Sequence, residues 1–397
     1  MTARPSAARP AESVHGWVAH LRAGGTTPWL AWTDAATGPG TDATTAPAPS
    51  GRALPGAQQL ELLRRINVAR QSGAQPRGDH DRERTRLADR VLAAPAAGRG
   101  KADLPLVGAA TGGFGAQPVD PATVSAHELL RVASTLLADD LVALGPDRVR
   151  RGVPRPWRHR FRLVGDPLVG AAAREHLLGR GRPEGGPLAF VVAVGGPIDE
   201  LLAHTWTQRC FEHGSKPWAA WLRFWRERDQ LPARVDLDDS IRRWGGRRPH
   251  VRVVTDLAQL PPHVGVRRLP EVRVPGADQA ELARRIAAVV GIRVPVGERP
   301  ALMRTLQKRM PDSGVAPVVV PAAEQDWVAS SAARMTRALT RAGYPVVGDL
   351  ADLAPHASDA TGLSGHGGAD DRQVLELAIR MIVDPGWRTG RERMVQR

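Results

Sequence analysis

Residues 161–178 read FRLVGDPLVGAAAREHLL. Phe161 to Val164 is strand-like, Gly165 breaks the strand, and a helix is expected to open near Gly170. The Gly165-xxxx-Gly170 spacing is that of a P-loop, a strand-to-helix turn whose backbone N–H groups cradle phosphate. A working loop continues with Lys and then Ser or Thr, whereas Ala171 and Ala172 stand here. The stretch points to an α/β unit and withholds the side chains that hold a nucleotide.

The pattern continues downstream. After RFRLV (160–164) and a helix over 170–179 come strand LAFVVAV (188–194) and a helix around 198–209. The Trp-rich PWAAWLRFWRERD (217–229), a helix near 238–244 and strand HVRVVTD (250–256) follow. Apolar strands separated by helices predict a parallel sheet covered on both faces. Ligands of such sheets bind outside the carboxyl ends of the strands. The Gly165 loop and the VGGP turn (194–197) fall at such ends. Trp218, Trp221, Leu222 and Trp225 form one helical stripe, read as packed core.

Upstream the reading is helical. In QQLELLRRINVARQ (58–71), Leu62, Leu63, Ile66 and Ala69 share a face. Ser125 and Glu128 have capping-box spacing ahead of an amphipathic run to residue 144. The expected division is an arm and linker over 1–57, a mainly helical region over 58–159, an α/β core over 160–355, and a linker with a last helix over 356–397. Residues 33–57 and 356–369, poor in bulky side chains, are expected to be mobile.

Composition bounds the function. The chain has 397 residues, 42% of them apolar, enough for a large core. A single cysteine, Cys210, excludes an intrachain disulfide and a cysteine-cluster metal site. MTARPSAARPAESVHGW at the start has no apolar run of a secretory signal, and residues 188–194 are too short to span a bilayer, so a soluble cytoplasmic protein is expected. The net charge is +14, carried almost entirely by arginine. Arginine, alanine, glycine and proline enrichment together is also what a GC-biased genome produces. Within 147–182, however, Asp147, Asp166 and Glu175 are the only acids among many arginines, and this basic field surrounds the loop. It would attract a phosphorylated ligand, or nucleic acid if the arginines form a stripe over an outer face. No metal constellation, nucleophile elbow or carboxylate dyad is present in the pattern. His204, His176 and His213 are the candidate general bases, since histidine titrates near neutral pH.

Residues 160–355 resemble the sulfotransferase-like proteins of actinobacteria, relatives of P-loop enzymes that use 3′-phosphoadenosine 5′-phosphosulfate. The resemblance lies in the strand-loop-helix at 161–178, AFVVAVGGPIDELLAHTWTQ (189–208), PHVRVVTDLAQLP (249–261) and the ending EQDWVASSAARMTRALTRAGYPVVGDLADLAP (324–355). It implies an α/β fold, this sulfate donor as cofactor, and a carbohydrate or small-molecule hydroxyl as acceptor. It also implies donor contacts at Gly165, Gly170, Ala171 and, as a substitute cation, Arg174, with Arg160 and Arg162 near. The family loop reads G-T-P-K-T-G-T-T. Here Leu168 takes the lysine place, Val169 a hydroxyl place, and Ala171 and Ala172 the paired threonines. The places of the 3′-phosphate arginine and serine hold Gly196 and His204. The expected function is therefore a sulfotransferase-like protein with an eroded donor site, non-catalytic or the partner of an active enzyme in glycan or cell-surface biosynthesis. An active sulfotransferase and a basic polyanion-binding module are the alternatives.

Overall fold

The structure, a computed structural model, describes residues 10–37, 53–72, 80–97, 119–147, 152–153, 155, 158–186, 189–244, 250–356 and 368–389. Its sheet has four parallel strands, β1 (Phe161–Gly165), β2 (Phe190–Val194), β3 (Val251–Val254) and β4 (Val346–Val347), lying in that order. Register places Leu163 beside Val192 and Val194 beside Val254. The expected neighbours β1, β2 and β3 are therefore adjacent and parallel, as the alternation of apolar runs and helices required.

Helices α1 (Pro10–Arg22), α2 (Trp29–Thr37), α3 (Ala57–Ser72), α4 (His80–Ala93) and α5 (Ala126–Leu144) precede the sheet. Between strands lie α6 (Pro167–Gly179), α7 (Ile198–Cys210), α8 (Trp218–Arg226), α9 (Leu237–Trp244), α10 (Leu260–His263), α11 (Ala277–Arg293), α12 (Arg299–Arg309) and α13 (Gln325–Ala342). Helices α14 (Asp371–Val383) and α15 (Pro385–Thr389) follow β4. Successive side chains of a strand point to opposite faces, and this splits the sheet's side chains between two apolar clusters. Phe161, Leu163, Val192, Val194 and Val254 pack with α6, with Leu260 of α10 and with Val264 just after it. Val191, Ala193, Val251 and Val253 turn to the other cluster, which includes Leu237 and Ile241 of α9.

That second cluster continues into a helical bundle. Helices α5 and α14 lie together, flanked by α3 and α11, with α4 and α12 outside. The last helix, expected beyond the 356–369 linker, thus packs on the N-terminal helices. Buried Leu129, Leu137, Leu375 and Met381 supply the apolar contact. The expected linker over 33–57 is shorter than its composition suggested. Residues 33–37 complete α2, and buried Leu54 bridges Val119 before Ala57 opens α3. Residues 38–52 and 357–367 lie outside the described residues. Ser125 caps α5 by accepting from the Glu128 N–H, yet the capping box is half made. The Glu128 carboxylate turns to Arg131 at 2.9 Å, because both side chains are buried and a charge there needs a charged partner. Trp218, Trp221 and Leu222 are buried as expected, their rings continuing from Trp206 towards half-buried Trp225.

Candidate functional site

Asp166 organises the loop. The helix after β1 opens at Pro167, three residues before the expected Gly170, with Asp166 as its N-cap. Asp followed by Pro is a favourable start: the carboxylate accepts from early amides, and proline at the first helical position has no N–H to leave bare. Asp166 Oδ1 accepts from the N–H groups of Leu168 and Val169 at 2.9 and 3.0 Å. Those are the amides that a helix N-terminus offers to an anion. In this chain the anion is Asp166 itself, 6% exposed.

Gly165 makes the turn possible. Its φ of +91° lies in the region that favours glycine, and a Cβ there would run into the Val194 carbonyl oxygen and Leu237. Leu237 also covers Gly195 at the end of β2, together with Leu353. Both leucines are fully buried, so apolar side chains fill the space over the carboxyl ends of β1 and β2. The strand order runs from β1 to β4 without reversal, so the sheet has no topological switch point to open a crevice.

His204, a candidate base, reaches the same carboxylate. Its Nδ1 lies 2.7 Å from Asp166 Oδ2, and the imidazole is largely buried. Burial pulls its pKa down, but the Asp166 hydrogen bond and the charges of Asp166 and Glu200 outweigh that and leave it above the ordinary value. The pairing gives Asp166 three partners, two amides and the His204 imidazole. His176 and His213 do not join it. His176 lies on α6 with Nε2 buried and unpartnered, its pKa lowered by burial and by Arg180. His213 is exposed beyond α7. The Cys210 thiol is fully buried, which pushes its pKa up and leaves it inert as a nucleophile. Among the described residues no group of His, Cys, Asp and Glu could hold a metal ion, and no helix is long and apolar enough to cross a membrane.

The raised His204 pKa has a definite sign in stability. A group that binds its proton more tightly when folded contributes fully below its unfolded pKa, about 6.5, and loses that contribution as pH rises through the higher folded value. Asp166→Asn is expected to lower the His204 pKa, followed by NMR, and to cost about 1–3 kcal/mol at pH 6. In urea unfolding the gap between the two proteins should narrow as pH rises. An imidazole that titrates identically in both would contradict the pairing.

Outside the filled cradle a cleft of about 400 Å³ remains, lined by Arg162, Arg174, Arg234, Arg243 and Trp244 along with Gly165, Gly170 and Ala171. The expected site residues Gly165, Gly170, Ala171 and Arg174 are therefore together. Arg174 is spoken for: its Nε donates to Glu184 at 2.7 Å. Arg234 and Arg243 pair with Glu212 and Asp239. Arg162 lies over the Trp244 ring at 4.3 Å. Arg160 and Arg182 donate to backbone carbonyls of Gly185, Val264 and His159. Of the arginines read in 147–182, Arg160, Arg162, Arg174 and Arg182 thus have partners within the chain, and the cleft's other cations come from 234–243. Leu168 of the lysine place is buried, and Gly196 of the arginine place has open space beside it. Family models, curated proteins and solved structures yield no match to this chain.

Proposed function

We propose that this chain is a sulfotransferase-like protein that has lost use of the sulfate donor and serves as a non-catalytic partner in glycan or cell-surface biosynthesis. The observation that carries the reading is the Asp166 carboxylate on the Leu168 and Val169 amides, held from behind by His204. A phosphate entering the cradle would have to displace a buried anion that already has its hydrogen bonds. It would gain no lysine or hydroxyl in return, because Leu168, Val169, Ala171 and Ala172 offer none. Arg174 is a poor substitute while it pairs with Glu184. The alternative of an active transferase needs both obstacles removed at once. The alternative of a basic polyanion-binding module is weakened by the Arg174–Glu184 ion pair and by the backbone carbonyls that hold the Arg160 and Arg182 side chains in place.

Calorimetric titration with 3′-phosphoadenosine 5′-phosphosulfate tests the reading. The native chain is expected to give no saturable heat at millimolar nucleotide and no thermal stabilisation, where ligand at a hundred times its Kd would add about 2.7 kcal/mol. Restoring Lys and Thr at 168, 171 and 172 is insufficient by itself, since the cradle stays occupied. The same changes combined with Asp166→Thr should bring binding into range. Micromolar binding by the native protein, lost on Arg174→Ala, would overturn the proposal.

A further inference from the structure

A second cleft, of about 690 Å³, opens between α9 and α13, and Ala233 and Arg243 line both it and the cleft at the loop. Two residues that line this cleft each hold a polar atom with no partner, Asp238 its Oδ1 and Trp225 its Nε1–H, both just beneath the surface and shielded from solvent. Asp238 is 93% buried (7% exposed), and its other oxygen accepts from Arg242 at 2.6 Å. Arg334, Arg337 and Arg341 follow one another at helical spacing on α13 and line the same cleft. Arg334 pairs with Asp229. Among the described residues Arg337 and Arg341 have no carboxylate partner; both are exposed.

These groups ask for a ligand of mixed character. Arg337 and Arg341 suit an anion. A bare anion, however, would leave Asp238 without a donor and would be repelled by it. Asp238 Oδ1 needs a donor, and the Trp225 N–H needs an acceptor. A hydroxyl group is both, whereas an ammonium group is a donor only. The Arg242 arm over Asp238 is 68% exposed and so has room to swing aside, while a ligand hydroxyl would take over its hydrogen bond to the buried carboxylate. We propose that the cleft between α9 and α13 binds a monosaccharide ester: a polyhydroxylated ring whose hydroxyls meet Asp238 and Trp225, and whose phosphate or sulfate group meets Arg337 and Arg341. This proposal does not rest on the reading of the Gly165 loop.

Calorimetry on the full chain with glucose 6-phosphate, glucose 6-sulfate, glucose and inorganic phosphate tests it. At least one ester is expected to bind with a Kd below about 1 mM and about tenfold or more tighter than glucose or phosphate alone. Which ester binds identifies the anion; either supports the proposal. The Arg337→Ala, Arg341→Ala double variant, changed only at exposed positions, should weaken ester binding about tenfold or more. Asp238→Asn should weaken it as well without strengthening binding of glucose. Failure of both esters, binding no tighter than that of inorganic phosphate, or indifference to the double variant would overturn it.

Discussion

Leu237→Ala is expected to cost about 3–5 kcal/mol, the upper part of the range for a large-to-small change in a core. Leu237 is fully buried, begins α9, and lies against both Gly165 and Gly195 at the ends of β1 and β2. Its neighbours cannot close the gap. The two glycines have no side chains to move, and the strand ends are fixed by ladder hydrogen bonds, including Asp166 N–H to the Val194 carbonyl. The loss should therefore include most of the cavity term, about 24 cal/mol per Å³ of residual void. Chemical unfolding monitored by tryptophan fluorescence measures it directly. The same variant separates two roles for the plug. If Leu237 alone kept nucleotide out, its removal would bring donor binding; with Asp166 still on the amides, none is expected. A loss below about 1 kcal/mol would mean that Leu237 does not seal the strand ends.

The sheet was legible because its strands are apolar runs of the right length, separated by segments with helical period. The start of α6 was also legible, since Asp166-Pro167 is a cap followed by a favoured first residue. Aligning Gly165 and Gly170 with a phosphate loop pushed the expected helix start to Gly170 and so hid the cap. Once the helix opens at Pro167, the amides that looked available have an owner. His204 was singled out by residue type alone, whereas its partner Asp166 is distant in sequence and only the α6–α7 packing brings them together. Arg234, Arg243 and Trp244 were not expected at the loop at all. They arrive because α9 lies across β1 and β2, a tertiary outcome with no local signal. Leu237 and Leu353 were likewise invisible as plugs, since a buried leucine reads the same over a strand end as anywhere else in a core.

One missed feature was present in the letters. GAQQLELLRRI (56–66) and GADQAELARRI (276–286) share Gly, Ala, Gln, Glu, Leu, Arg, Arg and Ile at the same spacing. A search for a running period passes over a motif used twice at distant places. The two copies fold alike. Glu61 accepts from Arg64 and Arg65, and Glu281 from Arg284 and Arg285, through the same atoms at 2.6–2.9 Å. The helices that carry them, α3 and α11, both pack against α5 and α14.

Removing the second of these carboxylates should be among the costliest single changes in the bundle. Glu281→Ala is expected to destabilise by about 3–5 kcal/mol, the penalty for leaving a buried charge without its partner. Glu281 is 9% exposed, and among the described residues Arg284 makes a direct ion pair with no other carboxylate, Asp371 acting on it only from farther off. Arg285 also depends on Glu281 for its aim, since it reaches on to Asp371 of α14 and His127 of α5. The loss would thus spread over three helices. Glu61→Ala should cost less, because Arg65 is more exposed and Arg64 also donates to the Thr26 carbonyl. The pH dependence has the opposite sign to that of His204. Burial pushes the Glu281 carboxyl up, but Arg284 and Arg285 outweigh it and hold the pKa below the ordinary value. Its contribution is complete above the unfolded pKa, about 4.3, and disappears as pH falls through the lower folded value. Urea midpoints of the native protein and Glu281→Gln should therefore differ most near neutrality and converge on acidification. A gap that stays constant down to pH 3 would show that packing of the side chain, and not its charge, holds the three helices together.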